Sequence, residues 1–314
     1  MPIEVIRGRK PGPTVFVSAA VHGDEINGVE IIHRLLRMRV LNRIRGTLIC
    51  IPIVNVFGFL NKSRYLPDGR DLNRSFPGSV SGSLTSRLAN IFLTEIAGRC
   101  QYGIDLHTAA ADRFNLPQIR ANLDDEETLR LARAFHVPAL INSNLRDGSL
   151  RQAVAELGVR VLVYEGGERL RFNEPVIRAG LHGIVALLRE LGMLQKRRRA
   201  TAFPEPLIAR GTSWMRAPCS GIHRILIEPG DRVKPGDPMG VLSDPFGRSE
   251  EIVTAEHNGI VIGLTSLPLI NEGDALYHVA RFSSSAEAAE KVEAFREAVD
   301  SADPLIPDTE PPTY

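Results

Sequence analysis

Thr14-Val15-Phe16-Val17-Ser18-Ala19-Ala20-Val21 is an apolar run between Pro13 and Gly23. Its length and flanks predict a strand buried on both faces of a sheet. His22-Gly23-Asp24-Glu25 follows it directly. Beyond that turn Val29, Ile32 and Leu36, with Ile31 and Leu35 beside them, keep helical spacing. A buried strand, a turn and an amphipathic helix form the opening unit of an α/β sheet.

The same alternation continues. Thr47 to Val54 reads as a second strand, with Pro52 marking an edge position, a bulge or the strand end. Ser83 to Cys100 reads as a helix and Gly103 to His107 as a short strand. Asp124 to Phe135 is a helix with acidic residues in its first turn, where they favour the dipole. Leu150 to Leu157 is helical and stops at Gly158. Arg160 to Tyr164 is another buried strand, and Asn173 to Leu194 a long helix that accepts Pro175 in its first turn. The pattern predicts a mostly parallel or mixed sheet flanked by helices. Such sheets bind ligands beyond the carboxyl ends of their strands. His22 follows a strand, His107 closes one and Glu165 follows one, so all three are expected at that edge.

Composition changes near Lys196. Lys196-Arg197-Arg198-Arg199 reads as a solvated helix end with cations facing the dipole. Short β segments follow, punctuated by Pro229-Gly230-Asp231, Pro235-Gly236-Asp237, Asn258-Gly259 and Glu272-Gly273-Asp274, and predict a small C-terminal all-β domain. Ala286 to Ala298 looks helical. Ser301 to Tyr314, rich in Pro and Asp, reads as a frayed tail. The expected division is a catalytic α/β domain over 1–200, a barrel-like β domain over 201–282, and a helical segment with tail over 283–314.

The whole chain bounds the function. Its 314 residues are 43% hydrophobic and 24% charged, enough for one large core or two domains. A net charge of +1 gives no bulk argument for nucleic acid or a membrane surface. The first residues lack the basic and apolar regions of a secretory signal, and no apolar run nears the roughly 20 residues that span a bilayer. Cys50, Cys100 and Cys219 lie far apart without a CxxC, as expected in a reducing cytoplasm. Each reads as a small buried hydrophobe.

His22-x-x-Glu25 puts two candidate metal ligands on one turn, and His107 can supply a third from elsewhere. Three protein ligands leave the fourth position of a zinc ion open, the arrangement of catalytic sites. Asp105 lies two residues before His107, on the same side of a strand, where it could orient the imidazole. Taken singly, His22 reads better as a turn histidine and His107 as a hydrogen-bonded core histidine. Arg64, Asn73 and Arg74 lie on a Gly/Pro-rich loop. Solvated loop arginines are ordinary, but near a metal the planar guanidinium fork suits a carboxylate or a polarised carbonyl. Glu165, before Gly166-Gly167, is either a surface carboxylate or a general base. His33, His136, His182, His223, His257 and His278 read as packing or surface residues. Tyr277 reads as a core tyrosine, although it could reach the site from the β domain.

His22-Gly-Asp-Glu25, Asp71-Leu-Asn-Arg-Ser-Phe-Pro-Gly78, Asp105-Leu-His107 and Glu165-Gly-Gly167, in that order, resemble the succinylglutamate desuccinylase/aspartoacylase family, part of the zinc carboxypeptidase-like fold. The resemblance covers about residues 14 to 280. It implies one zinc ion per chain held by His22, Glu25 and His107, and Glu165 as catalytic acid/base. It also implies that Arg64 polarises the scissile carbonyl and that Asn73 and Arg74 bind the substrate carboxylate. The implied activity is hydrolysis of the amide of a small N-acyl amino acid. Two alternatives stand beside it: a zinc metallocarboxypeptidase, and a non-catalytic carrier or binding protein. The second arises because Ala217 to Asp237, with Ala255 to Val261, resembles a biotinyl/lipoyl carrier barrel. Where a carrier holds its modifiable lysine, this chain has Ser243-Asp-Pro-Phe-Gly247, which argues for a structural or substrate-shaping role. No nucleic-acid or membrane partner is expected, and a homo-oligomer is compatible with the sequence.

Overall fold

The computed structural model describes residues 1–302 except 111, 144–145, 197–202, 210 and 283–284. The basic run from Arg197 and the tail from 303 lie outside the described residues.

The first part of the chain contains β1 (Glu4–Arg7), β2 (Lys10–Ala19), α1 (Asn27–Leu36), β3 (Arg45–Ile51), α2 (Val56–Leu60), α3 (Leu84–Glu95), β4 (Tyr102–Ala109), β5 (Arg113–Ala121), α4 (Glu126–Ala134), β6 (Ala139–Asn142), α5 (Leu150–Glu156), β7 (Arg160–Glu168) and α6 (Glu174–Glu190). β3, β2, β4 and β7 are parallel neighbours in that order, and β1 closes the outer edge antiparallel to β3. Pro52 follows the last residue of β3, so it marks a strand end.

β2 shows why the sheet needs helices on both sides. Val15, Val17 and Ala19 pack with Ile31, Ile32 and Leu35 of α1 and with Ile177, Leu181 and Ile184 of α6. Phe16 turns the other way, against Phe92 and Leu93 of α3 and Val154 of α5. Successive strand residues face opposite sides, so an unbroken apolar run requires two cores. Each large side chain buried there contributes about 1.5–3 kcal/mol. Side-chain caps start the outer helices. Asp125 accepts from Thr128 N–H, Ser149 from Gln152 N–H and Asn173 from Val176 N–H.

Three strands of this part, β1, β5 and β6, were not anticipated. β5 is interrupted by Pro117, a residue that argues against a strand interior. Here Pro117 falls where the β5–β7 register shifts between Asn115 and Gln118. A bulge removes the need for a ladder donor at that point. β6 has only four residues, too short for a period to show.

The rest comprises β8 (Leu207–Ala209), β9 (Gly211–Arg216), β10 (Gly221–Ile225), β11 (Arg232–Val233), β12 (Pro238–Ser243), β13 (Glu250–Thr254), β14 (Gly259–Thr265), β15 (Leu269–Ile270), β16 (Ala275–Arg281) and α7 (Ser285–Ser301). β13, β12, β10 and β15 form a small sheet. β14, β16 and β9 instead extend the main sheet, because β14 pairs antiparallel with the start of β5 at Thr265↔Arg113, Leu264↔Phe114 and Gly263↔Asn115. The architecture is therefore a mixed α/β sheet flanked by helices and continued by C-terminal strands. Among the described residues no helix is long and apolar enough to cross a membrane. Cys50 and Cys100 are buried, Cys219 is half-buried, and all three are free thiols.

Candidate active site at the carboxyl edge of the sheet

The turn after β2 is tight. Ala20 takes a left-handed φ of 50°, and Glu25 N–H bonds back to the carbonyl of His22 at 3.2 Å. Gly23 lies directly on the backbone of α2. A Cβ at that position would sit 2.0 Å from the Gly58 carbonyl carbon, so only glycine fits between the two flanking site residues.

His22, Glu25 and His107 converge, all buried, with one nitrogen or oxygen from each lying within 4.8 Å of the others. His22 Nδ1 is 2.7 Å from Glu25 Oε1, and His107 Nδ1 is 2.8 Å from Glu25 Oε2. The far nitrogen of each ring meets an aspartate. His22 Nε2 is 3.1 Å from Asp71 Oδ1, and His107 Nε2 is 2.7 Å from Asp105 Oδ2. Asp105 is itself fixed by the Ser18 hydroxyl, which donates to its other oxygen at 2.8 Å. The sequence pointed to Asp105 as an orienting group. It gave no such role to Asp71, whose partner lies 49 residues away.

Burial alone would lower the pKa of both histidines, but the charge of Glu25 and the aspartate bonds raise His22 and hold His107 well above the usual range. Burial would raise Glu25, yet the two imidazoles hold it well below the ordinary carboxylate range. The cluster is therefore an environment that favours positive charge. Two imidazoles and a carboxylate, each ring backed by a carboxylate, are a donor set suited to a divalent ion of the zinc type.

Glu165 and His107 hold paired register positions on β7 and β4. Glu165 was expected just past the end of a strand. It lies inside β7, because pairing with β5 at Gly167↔Asn115 carries the ladder onward. His107 likewise lies within β4 rather than at its last residue. Asn115 Nδ2 donates to Glu165 Oε2 at 2.8 Å, and Arg120 Nε is 3.2 Å from the same oxygen. Arg64 reaches Asp71 Oδ2 through Nε at 3.0 Å and Glu25 Oε1 through Nη1 at 3.3 Å. Asn73 accepts from Leu150 N–H at 2.9 Å, tying its loop to the start of α5. Arg74 donates to the Asn73 carbonyl, and burial lowers its pKa.

All seven residues singled out from the sequence line one cavity of about 560 Å³. The sequence reading missed other parts of the wall, among them Arg113, Asn115 and Arg120 on β5, Arg146 and Arg151 around the start of α5, and Trp214 and His278 from the C-terminal strands. Trp214 and His278 stack with centroids 4.4 Å apart, and the Arg113 guanidinium lies 4.8 Å from the Trp214 ring. His278, read as a packing residue, therefore belongs to the cavity. Tyr277 points into the core as expected, donating to the Met239 carbonyl at 2.7 Å and contacting His223 Nε2 at 2.6 Å. The hairpin after β12 is closed by Asp244, whose carboxylate accepts from the N–H groups of Phe246, Arg248 and Ser249.

Residues 11–191 match the succinylglutamate desuccinylase/aspartoacylase catalytic domain, more than half of the chain. The protein belongs to that family. The chain is 24% identical over 300 residues to N-alpha-acetyl-L-2,4-diaminobutyric acid deacetylase of Halomonas elongata, covering 91% of this chain and 86% of the relative. A succinylglutamate desuccinylase/aspartoacylase from Rhodobacter sphaeroides superposes with a TM-score of 0.79 at 26% identity, over 90% of this chain and 89% of that one. The product-bound ectoine utilization protein EutE (DoeB) of Ruegeria pomeroyi gives 0.79 at 24% identity, over 89% and 88%.

Proposed function

We propose that this protein is a zinc-dependent amidohydrolase that cleaves the acyl group from a small anionic N-acyl amino acid. The observation that carries the reading is the buried His22–Glu25–His107 cluster opening into the same cavity as Glu165 and Arg64. Zinc bound there supplies Lewis acidity, which polarises a carbonyl and makes water acidic near neutral pH. Glu165 takes a proton from the attacking water and returns it to the departing nitrogen. Arg64 donates to the carbonyl oxygen as negative charge grows on it, once its guanidinium turns from Asp71. Arg74 and Asn73 hold the amino-acid carboxylate. Water and amide are consumed, and a carboxylate and a free amine are released. Family membership favours this over peptide cleavage, and the Ser243–Gly247 hairpin lacks the lysine a carrier would need.

The cavity also speaks to substrate charge. Among the described residues six arginines line it (Arg64, Arg74, Arg113, Arg120, Arg146 and Arg151) against three carboxylates, Glu25, Asp105 and Glu165. Two of those carboxylates belong to the proposed metal centre. The remaining wall is cationic and suits a substrate with carboxylates beyond the amide. It does not suit the side-chain ammonium of N-acetyl-diaminobutyrate, the substrate in the name of the Halomonas relative. The test is amine release from a panel of N-acetyl and N-succinyl amino acids and C-terminal peptides, with and without a strong chelator. Chelator-sensitive release from the N-acyl amino acids supports the reading. Release from peptides alone, or release unaffected by metal removal, would overturn it.

A further inference from the structure

Arg113, Asn115 and Arg120 all line the cavity from β5. On a regular strand, residues five apart face opposite sides, so Asn115 and Arg120 could not both reach it. The register shift between Asn115 and Gln118, across Leu116-Pro117, adds the residue that changes parity. Bulges re-aim side chains in this way. As a result an amide and a guanidinium from the two sides of the bulge meet one oxygen of the neighbouring strand. Asn115 Nδ2 is 2.8 Å and Arg120 Nε 3.2 Å from Glu165 Oε2.

We propose that Asn115 and Arg120 are positioning residues that clamp Glu165 by Oε2 and so present its other oxygen, Oε1, as the one that exchanges protons with water and the leaving nitrogen. A carboxylate on two-fold rotating bonds has no fixed plane of its own. A hydrogen bond from Asn115 and an ion pair from Arg120, both anchored on one adjacent strand, fix that plane. The Asn115 amide supplies the directional hydrogen bond, and the Arg120 guanidinium adds an ion pair to the same oxygen. The clamp is distinct from substrate anchoring. Arg120 acts through Glu165, so its loss should slow the chemical step and leave substrate affinity in place.

The inference rests on the proposed role of Glu165, and the experiment separates the two. Glu165→Gln, Arg120→Gln, Arg120→Lys, Asn115→Ala and the double variant Arg120→Gln/Glu165→Gln are compared as zinc-loaded full-length enzymes on the best substrate of the panel. Zinc content and thermal midpoint are measured alongside kcat and KM. The clamp predicts that Arg120→Gln lowers kcat by about 10- to 100-fold, the scale of a small misplacement of a reacting group. KM stays within about threefold, and zinc content is unchanged. Arg120→Lys recovers much of the loss, and Asn115→Ala gives a smaller loss of the same kind. In the Glu165→Gln background, Arg120→Gln costs nothing further, because residues acting as one unit are not additive. A raised KM with kcat intact would make Arg120 a substrate anchor and overturn the clamp. So would an equal loss in both backgrounds. Near-parent activity of Glu165→Gln would overturn the role of Glu165 and the clamp with it, whereas an inactive Glu165→Gln beside a fully active Arg120→Gln would overturn the clamp alone. If Arg120→Gln does not fold, the Asn115→Ala comparison carries the same decision.

Discussion

His107 and Glu165 sit opposite each other on adjacent parallel strands, one strand spacing apart. One belongs to the cluster that can hold a metal, and the other is the proposed proton carrier. The sheet ladder itself therefore sets the separation of His107 and Glu165, with no loop intervening.

That relationship separates two kinds of loss. His107→Ala or Glu25→Gln should abolish zinc binding, while Glu165→Gln should keep zinc and lose activity by about 10²–10⁴, the usual range for general acid/base catalysis. Metal analysis of each purified variant, beside its turnover, checks both. Normal zinc in His107→Ala would remove it from the ligand set.

The aspartates behind the imidazoles give an intermediate effect. Asp71→Asn and Asp105→Asn keep the shape but remove the charge that orients His22 and His107. Zinc affinity should fall by about 10- to 100-fold in each. Competition with a chromogenic chelator measures it.

Substrate charge provides a third outcome. An N-acyl amino acid with two or more carboxylates should be turned over with a kcat/KM at least about tenfold above that of N-acetyl-diaminobutyrate. A charge pair a few ångströms apart in a partly desolvated cavity exceeds the 1.4 kcal/mol that a factor of ten needs. The gap should narrow at high salt. A preference for the cationic substrate would contradict the charge argument.

His278 makes stability depend on pH. Burial first, and the charges of Arg120 and Arg113 after it, push its pKa down to about 3. The unfolded side chain titrates near 6.5. Between those values the unfolded state binds a proton that the folded state refuses. Stability from this residue is thus fully present above about pH 6.5 and is lost as pH falls toward 3, about 2 kcal/mol by pH 5. Denaturant unfolding of the parent and of His278→Gln at pH 7 and pH 5 checks the sign. The parent should lose more than the variant.

Gly28 predicts a packing cost. A Cβ there would lie 2.7 Å from the Cβ atoms of both Ala19 and Leu106, so Gly28→Ala must push α1 off the sheet. Overpacking of this kind costs about 1–3 kcal/mol, measurable by urea titration.

What the sequence could reveal followed from distance along the chain. The strand Thr14–Val21 and the helix after it were readable, because period and flanks are local. His22, Glu25 and His107 were readable because their motifs are short and their edge of the sheet follows from topology. Arg120, Trp214 and His278 were not. Each reaches the cavity through pairings between distant segments, such as Trp214↔His278 across β9 and β16, and none carries a local signature. β5 was hidden for a different reason: Pro117, which breaks the strand pattern, is the feature that lets Asn115 and Arg120 face the same way.

The seam between β14 and β5 has an engineering consequence. The hydrogen bonds at Arg113, Phe114 and Asn115 are made by backbone that arrives some 150 residues later in the chain. A truncation after α6 would not release a tidy catalytic cassette. It would leave the first half of β5 as a raw edge, open to pairing with other chains, and would strip Trp214 and His278 from the cavity. Shuffling C-terminal halves between relatives would therefore exchange part of the wall of the candidate site, and a chimera would inherit a hybrid pocket rather than a new appendage.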